Sequence, residues 1–277
     1  MRLLALISVC VCALGMAGCK STFEKAAEAQ KAAGPIAKVD AVNMTQVAGV
    51  TADTLAIIPS ADGTTAVVVV KVTAKAPGSA LIWAPIEVKL LDAAGKEVGT
   101  NNIPGALPIL IHLASVQGGK DAYYVNDQIL LSGKPASAQV VIGGNLVQIA
   151  APGNLDTTKP VIVKDPSIGD SWTTTVTNNT GVRQEQLVVQ AIVRDGDKIV
   201  GAGTANIDGL DPGASVDVTG YFIGSSKGTV EVTTPASNAK DGSGAPPPLG
   251  AGSATNSQSS GESSGSVSTP TMTLQIN

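Results

Sequence analysis

The chain has 277 residues, with 18 Lys and Arg against 22 Asp and Glu, a formal net charge of −4, 43% hydrophobic and 3% aromatic residues. Its basic residues are scattered rather than gathered into a stripe with interleaved aromatics, so nucleic-acid binding is not expected. After the first 18 residues no apolar stretch is long enough to cross a bilayer, and what remains suffices for one large or two ordinary domains.

Residues 1–18, "MRLLALISVCVCALGMAG", place one positive charge at Arg2, an apolar centre over residues 3–14, and small residues at the end. That is the anatomy of a secretory signal peptide, and it is short for a spanning helix. Cys10 and Cys12 lie inside it, so Cys19 is the only cysteine after it. One thiol makes neither an internal disulfide nor a cysteine-rich metal site. The run Met16-Ala17-Gly18-Cys19 resembles the bacterial lipobox, Leu-(Ala/Ser)-(Gly/Ala)-Cys, with Met16 in place of the preferred Leu. The resemblance implies a diacylglyceryl group on the Cys19 thiol, cleavage before it, and a membrane anchor in which each buried CH2 contributes about 0.8 kcal/mol. The alternative is an ordinary signal peptide cut near Ala17 or Gly18, with Cys19 left free. In the lipoproteins that it resembles, Asp at the position of Lys20 favours inner-membrane retention. The expected location is therefore the outer membrane of a two-membrane bacterium, or otherwise the cell surface.

Residues 19–37 read as anchor and stalk. In "STFEKAAEAQKAAGP" Thr22 can cap a short alanine-rich helix that Gly34-Pro35 stops. From there the apolar period changes to two. Val68, Val70 and Val72 share one face of "TTAVVVVKVTA"; Ile86, Val88 and Leu90 share one face of "PIEVKLLD", with Glu87 and Lys89 opposite. "QLVVQAIVRD" repeats the pattern with Leu187, Val189, Ala191 and Val193, and "ASVDVTGYF" with Val216, Val218 and Phe222. Short alternating strands separated by Gly, Pro, Asn and Asp predict an all-β sandwich. Linker composition at 150–160 divides it into a first domain, 38–150, and a second, 158–235.

The two halves are related. The stretches beginning at Val72 and Val176 each run from a Val-Thr strand end through a polar turn into a long alternating strand ending in Asp. Both continue into a Gly-containing turn and a strand beginning Val-Gly, as tight hairpins require. The sequence predicts tandem antiparallel β-sandwiches. The long strands also resemble those of the FxLYD family, in which a Phe-x-Leu-Tyr-Asp strand enters an Asp-Gly-Lys hairpin. The matching residues are 88–92, "VKLLD", and 191–195, "AIVRD", which keep the Asp and the central apolar residue but not the Phe or Tyr. This resemblance implies an immunoglobulin-like fold of the kind carried by exported microbial lipoproteins, and no catalytic residues.

Chemistry-bearing patterns are few. The single histidine, His112 in "LPILIHLAS", has no carboxylate or nucleophile near it in sequence, so a structural or solvent-facing role is expected rather than a general base. "GSSKG" at 224–228 and "GESSG" at 261–265 fit G-x-S-x-G but lack the strand-turn-helix setting and a later histidine. "GAGTANI" at 201–207 lacks the third glycine of a phosphate loop and reads as small residues where strands approach closely. Asp195 with Asp197, and Asp208 with Asp211, offer carboxylates for calcium or for ordinary turns, and both readings stay open. Trp172, in phase with Val176, is expected in the core; Trp83 is unassigned. In "DAYYVNDQ" one of Tyr123 and Tyr124 must face outward in a strand, which makes the pair the candidate contact residues.

Residues 236–270 are rich in Ser, Gly, Pro and Ala and are expected to be disordered. "TMTLQIN", 271–277, alternates again through Met272, Leu274 and Ile276. It is expected to return as the last strand of the second domain, matching "LVQI" at 146–149 of the first. The whole predicts an all-β protein of two tandem immunoglobulin-like sandwiches after a short helical stalk. Its expected role is a non-catalytic binding or structural module of the cell envelope, held to a membrane through lipid on Cys19. The alternative is an accessory subunit that docks on an envelope protein through a sandwich edge strand. No metal, cofactor or small-molecule substrate is implied.

Overall fold

The computed structural model of the chain describes residues 44–103, 106–149, 153–167 and 169–246. Cys19, the stalk, "GESSG" and the expected strand at 271–277 lie outside these residues. The described residues form two antiparallel β-sandwiches.

In the first, β1 (Val50–Pro59), β2 (Thr65–Ala74) and β6 (Asp121–Leu130) form one sheet in the order β1-β2-β6. The opposing sheet is built around β3 (Ala80–Leu91), which pairs with β4 (Glu97–Thr100), β5 (His112–Gln117) and β7 (Ser137–Ile142). The alternation read from sequence sets the core: Val68, Val70 and Val72 meet Ile86, Val88 and Leu90, all buried. The second sandwich repeats the plan. Here β8 (Asp156–Thr157), β9 (Val161–Val163) and β13 (Ser215–Tyr221) pair with β10 (Ser171–Thr177). The other sheet runs β14-β12-β11-β15, from β11 (Gln184–Asp195), β12 (Lys198–Leu210), β14 (Ile223–Gly224) and β15 (Thr229–Thr233). Its core holds Trp172, Val176, Leu187, Val189 and Ala191.

The repeat extends to a backbone irregularity. Trp83 and Gln186 each stand nine residues before the Asp that ends the repeated segment, Asp92 or Asp195. They are also the two non-glycine residues with positive φ among the described residues, +48° and +49°. Such a conformation is uncommon for residues with a Cβ. Its recurrence at the same step of β3 and β11 marks the two sandwiches as copies of one plan.

The copies differ on one edge. β12 runs along β11 without interruption, whereas β4 and β5 share the matching edge of β3 with a loop between them. The chain leaves β3 at Asn101, whose N–H donates to Val88 O (3.2 Å), and rejoins at Ile111, whose O accepts from Ile86 N (2.9 Å). Residues 102–110 are therefore an insertion in the first sandwich, ending in a single 3-10 turn at Pro108–Leu110.

The sandwiches are welded face to face. A third apolar cluster joins Val67, Val69 and Val125 of the first to Ile192, Ile199 and Ala202 of the second. The strand β2 is thus covered on both sides, and Val67, Val68, Val69 and Val70 are each 0% exposed. At about 1.5–3 kcal/mol for each fully buried large aliphatic side chain, this contact is worth as much as a small core. Asp127 adds polar links, accepting from Thr204 N and Thr204 Oγ1 at 2.7 Å each. At the far edge Ser115 N donates to Ala236 O (3.0 Å).

Two boundaries move. The second sandwich begins before residue 158: Leu155 N donates to Thr234 O, and Ala236 N to Gly153 O. Residues 236–246, assigned by composition to the disordered segment, form a small hairpin. Ala236, Ala239 and Ala245 are buried in it, and Ser237 N and Asn238 N both donate to Gln184 Oε1 at 2.9 Å. Small side chains let this segment pack without large apolar residues, so its composition resembles that of a linker.

Candidate binding groove

A groove of about 310 Å³ opens where the inserted loop lies over the second sandwich. Leu107, Pro108 and Ile109 form one wall; Gln186, Asn206, Ile207 and Asp208 line the other side. Ligand sites favour such junctions between domains, with apolar walls and a few polar groups. Leu107 is 53% exposed and Ile103, at the start of the loop, 43%.

The loop is held from below by a buried polar network. Leu110 O accepts from Tyr124 Oη (2.5 Å), Asn101 Nδ2 (3.0 Å) and Asn126 Nδ2 (3.1 Å). Both amides also donate to Tyr124 Oη, at 3.0 and 2.9 Å. Asn101 Oδ1 accepts from Val88 N at 2.7 Å, tying the network to β3. Burial pushes the Tyr124 hydroxyl up to about 12, so it stays protonated and keeps donating. His112 closes the loop at its other end. Its Nδ1 lies 2.8 Å from Pro108 O, which fixes the proton on Nδ1 because a carbonyl only accepts. Its ring stacks on Trp83, centroids 4.9 Å apart and 3° from parallel. Burial lowers its pKa, and the Pro108 bond opposes that shift.

The candidate contact residues therefore have internal roles. Tyr124 is 3% exposed and belongs to the first core and the loop network. Tyr123 faces outward from the first sandwich, as alternation required, but what it meets is the second. Arg194 lies over its ring, 5.6 Å from the centroid, and Arg194 Nη2 donates to Tyr123 Oη at 3.2 Å. Periodicity gives the side of a strand and not what covers it. Trp172 is fully buried as expected. Gly220 makes room for it, since a Cβ there would lie 2.4 Å from Trp172 Cζ2.

Of the motifs weighed for chemistry, "GAGTANI" and "GSSKG" lie among the described residues. At Gly201 and Gly203 an added Cβ would fall 2.1 Å from Ser225 O and 1.8 Å from Tyr221 O, so "GAGTANI" is where the chain crosses β12 closely. Ser226, central in "GSSKG", accepts from Lys164 Nζ and donates to Asp170 Oδ2. Lys164 is half exposed and paired with Asp170 at 2.7 Å, so the three side chains pin two loops together. The Lys164 bond, ahead of the Ser226 bond, holds the Asp170 carboxyl below its usual range. Asp211 pairs with Arg183 at 2.6 Å, and Asp208 lines the groove. Among the described residues no three His, Cys, Asp or Glu side chains gather as a metal site would need.

Fold and groove together define a tandem β-sandwich whose halves are fused through their sheet faces, with one inserted loop forming a cleft at the seam. Neither the protein-family models nor the curated proteins include a match to this chain.

Proposed function

We propose that this protein is an exported lipoprotein, held on a membrane by lipid on Cys19, that acts without catalysis as a binding module of the cell envelope. The observation that carries the binding half is the inserted loop. It presents Leu107 over a preformed groove and is fixed beneath by three hydrogen bonds to Leu110 O. Loops held by a rigid scaffold are where such domains place recognition. The anchoring half rests on the signal-like residues 1–18 and on Met16-Ala17-Gly18-Cys19. The FxLYD-like strands at 88–92 and 191–195 fit this reading, because that family's domains are carried by exported lipoproteins. With Lys20 after the cysteine, the outer membrane is the proposed location in a two-membrane organism.

The strand β9 favours a second reading, docking on an envelope assembly through a sheet edge. It pairs with β10, and Val161 and Val163 are 63% and 50% exposed. An exposed apolar edge strand is a template for pairing with another chain.

The anchor is tested by intact-mass analysis of protein extracted from membranes, beside a Cys19→Ser variant. The expected result is a wild-type chain beginning at an acylated Cys19 and a variant that is soluble or uncleaved. An unmodified N-terminus at wild-type Cys19 ends the lipoprotein reading.

A further inference from the structure

We infer that the groove is built for an extended proline-rich segment carrying a large apolar side chain, and that its resident occupant is this chain's own residues 247–249. The inference rests on the groove being the binding site. Its ground is where the described chain ends. After the 236–246 hairpin, closed by Ala245 N donating to Ser237 O (3.1 Å), Pro246 O accepts from Gln186 Nε2. Gln186 is itself one of the groove-lining residues. The chain therefore leaves the described structure one side chain away from the groove.

Pro247, Pro248 and Leu249 come next in the chain, ahead of a stretch of Gly, Ser, Ala and Thr. Each proline fixes φ near −65° and confines the residue before it to extended conformations. A Pro-Pro-Pro run at 246–248 thus leaves Pro246 as an extended rod of about 3.1 Å per residue with little conformational entropy left to lose. Three residues at that rise span about 9 Å, and Pro246 is bonded to Gln186, which lines the groove together with Leu107, Ile109 and Ile207. The prolines have no N–H to satisfy, so against a wall of Leu, Pro and Ile only their carbonyls need hydrogen-bond partners. Leu107, 53% exposed in the described residues, is the side chain that Leu249 would cover. An external partner with the same chemistry, an extended Pro-Pro-Leu segment, would then bind by displacing the chain's own.

Amide hydrogen exchange over residues 107–111 tests this in the full chain, in Leu249→Asp, in Leu249→Ser, and in a chain lacking 271–277. Exchange in both Leu249 variants should be at least ten-fold faster than in wild type, with unchanged melting. A synthetic peptide of residues 246–250 should restore protection to Leu249→Asp while leaving wild type as it was. Equal exchange in wild type and both Leu249 variants overturns the inference. So does release of the loop by deleting 271–277 alone, which would make the alternating segment the occupant. Peptide protection of wild type and variant alike would show an open groove without a resident segment. The groove itself is judged separately, by Leu107→Asp.

Discussion

At the scale of single residues, Tyr124 is the keystone of the groove. Tyr124→Phe leaves Asn101 and Asn126 bonded to Leu110 O but removes the hydroxyl that all three share. The expected loss is about 1–3 kcal/mol in denaturant unfolding, with faster amide exchange in residues 106–111. Asp127 makes a different prediction. Burial between the sandwiches raises its pKa despite two bonds from Thr204, and the raised value means that the folded protein binds its proton more tightly than the unfolded chain. This group's contribution to stability therefore falls as pH rises from the ordinary 3.8 through the raised value, and is level above it. Asp62, Asp170 and Asp241 have lowered values and act in the opposite sense, so the effect is read as a difference. Against Asp127→Asn, wild type should lose relative stability across that window; parallel curves in paired melts would refute the assignment. Gly203 is the third case. Its missing Cβ is replaced by the close passage of Tyr221 O, so Gly203→Ala should cost more than about 2 kcal/mol in the same unfolding assay.

At the scale of elements, strand periodicity was legible and its partners were not. The faces holding Val68, Val70 and Val72 and holding Leu187, Val189 and Ala191 are the core faces, as alternation required. The unbroken valines at 67–70 also carried a second message. A strand covered on both sides reads as a continuous apolar run, and Val67 and Val69 are covered by the second sandwich. Tyr123, Asp127 and Arg194 gave no comparable sign, because a polar residue at a sheet-to-sheet contact looks like one facing water. The inserted loop was hidden for another reason. "IPGALPIL", 103–110, is apolar enough to pass for strand, and only the uninterrupted course of β12 reveals it as an addition. Nor could composition reveal the hairpin at 236–246, since its anchoring is done by Gln184 and by buried alanines.

At the scale of the whole molecule, the two sandwiches should behave as one unit. The cluster of Val67, Val69, Val125, Ile192, Ile199 and Ala202 couples their stabilities, so calorimetry should show a single transition. Ile192→Asp places a charge in that seam while leaving both inner cores intact, and should split the transition in two. A fixed seam is also what gives the groove a fixed width, and the groove is the central claim. Its most direct test is co-purification from detergent-solubilised membranes, with wild type, Leu107→Asp and Val161→Asp compared as acylated full-length chains. Leu107 and Val161 are both exposed, so neither change disturbs a core. The expected result is a protein partner retained by wild type and Val161→Asp and reduced at least ten-fold by Leu107→Asp. Equal recovery with Leu107→Asp, or loss with Val161→Asp instead, would contradict the groove and move recognition to the edge strand β9.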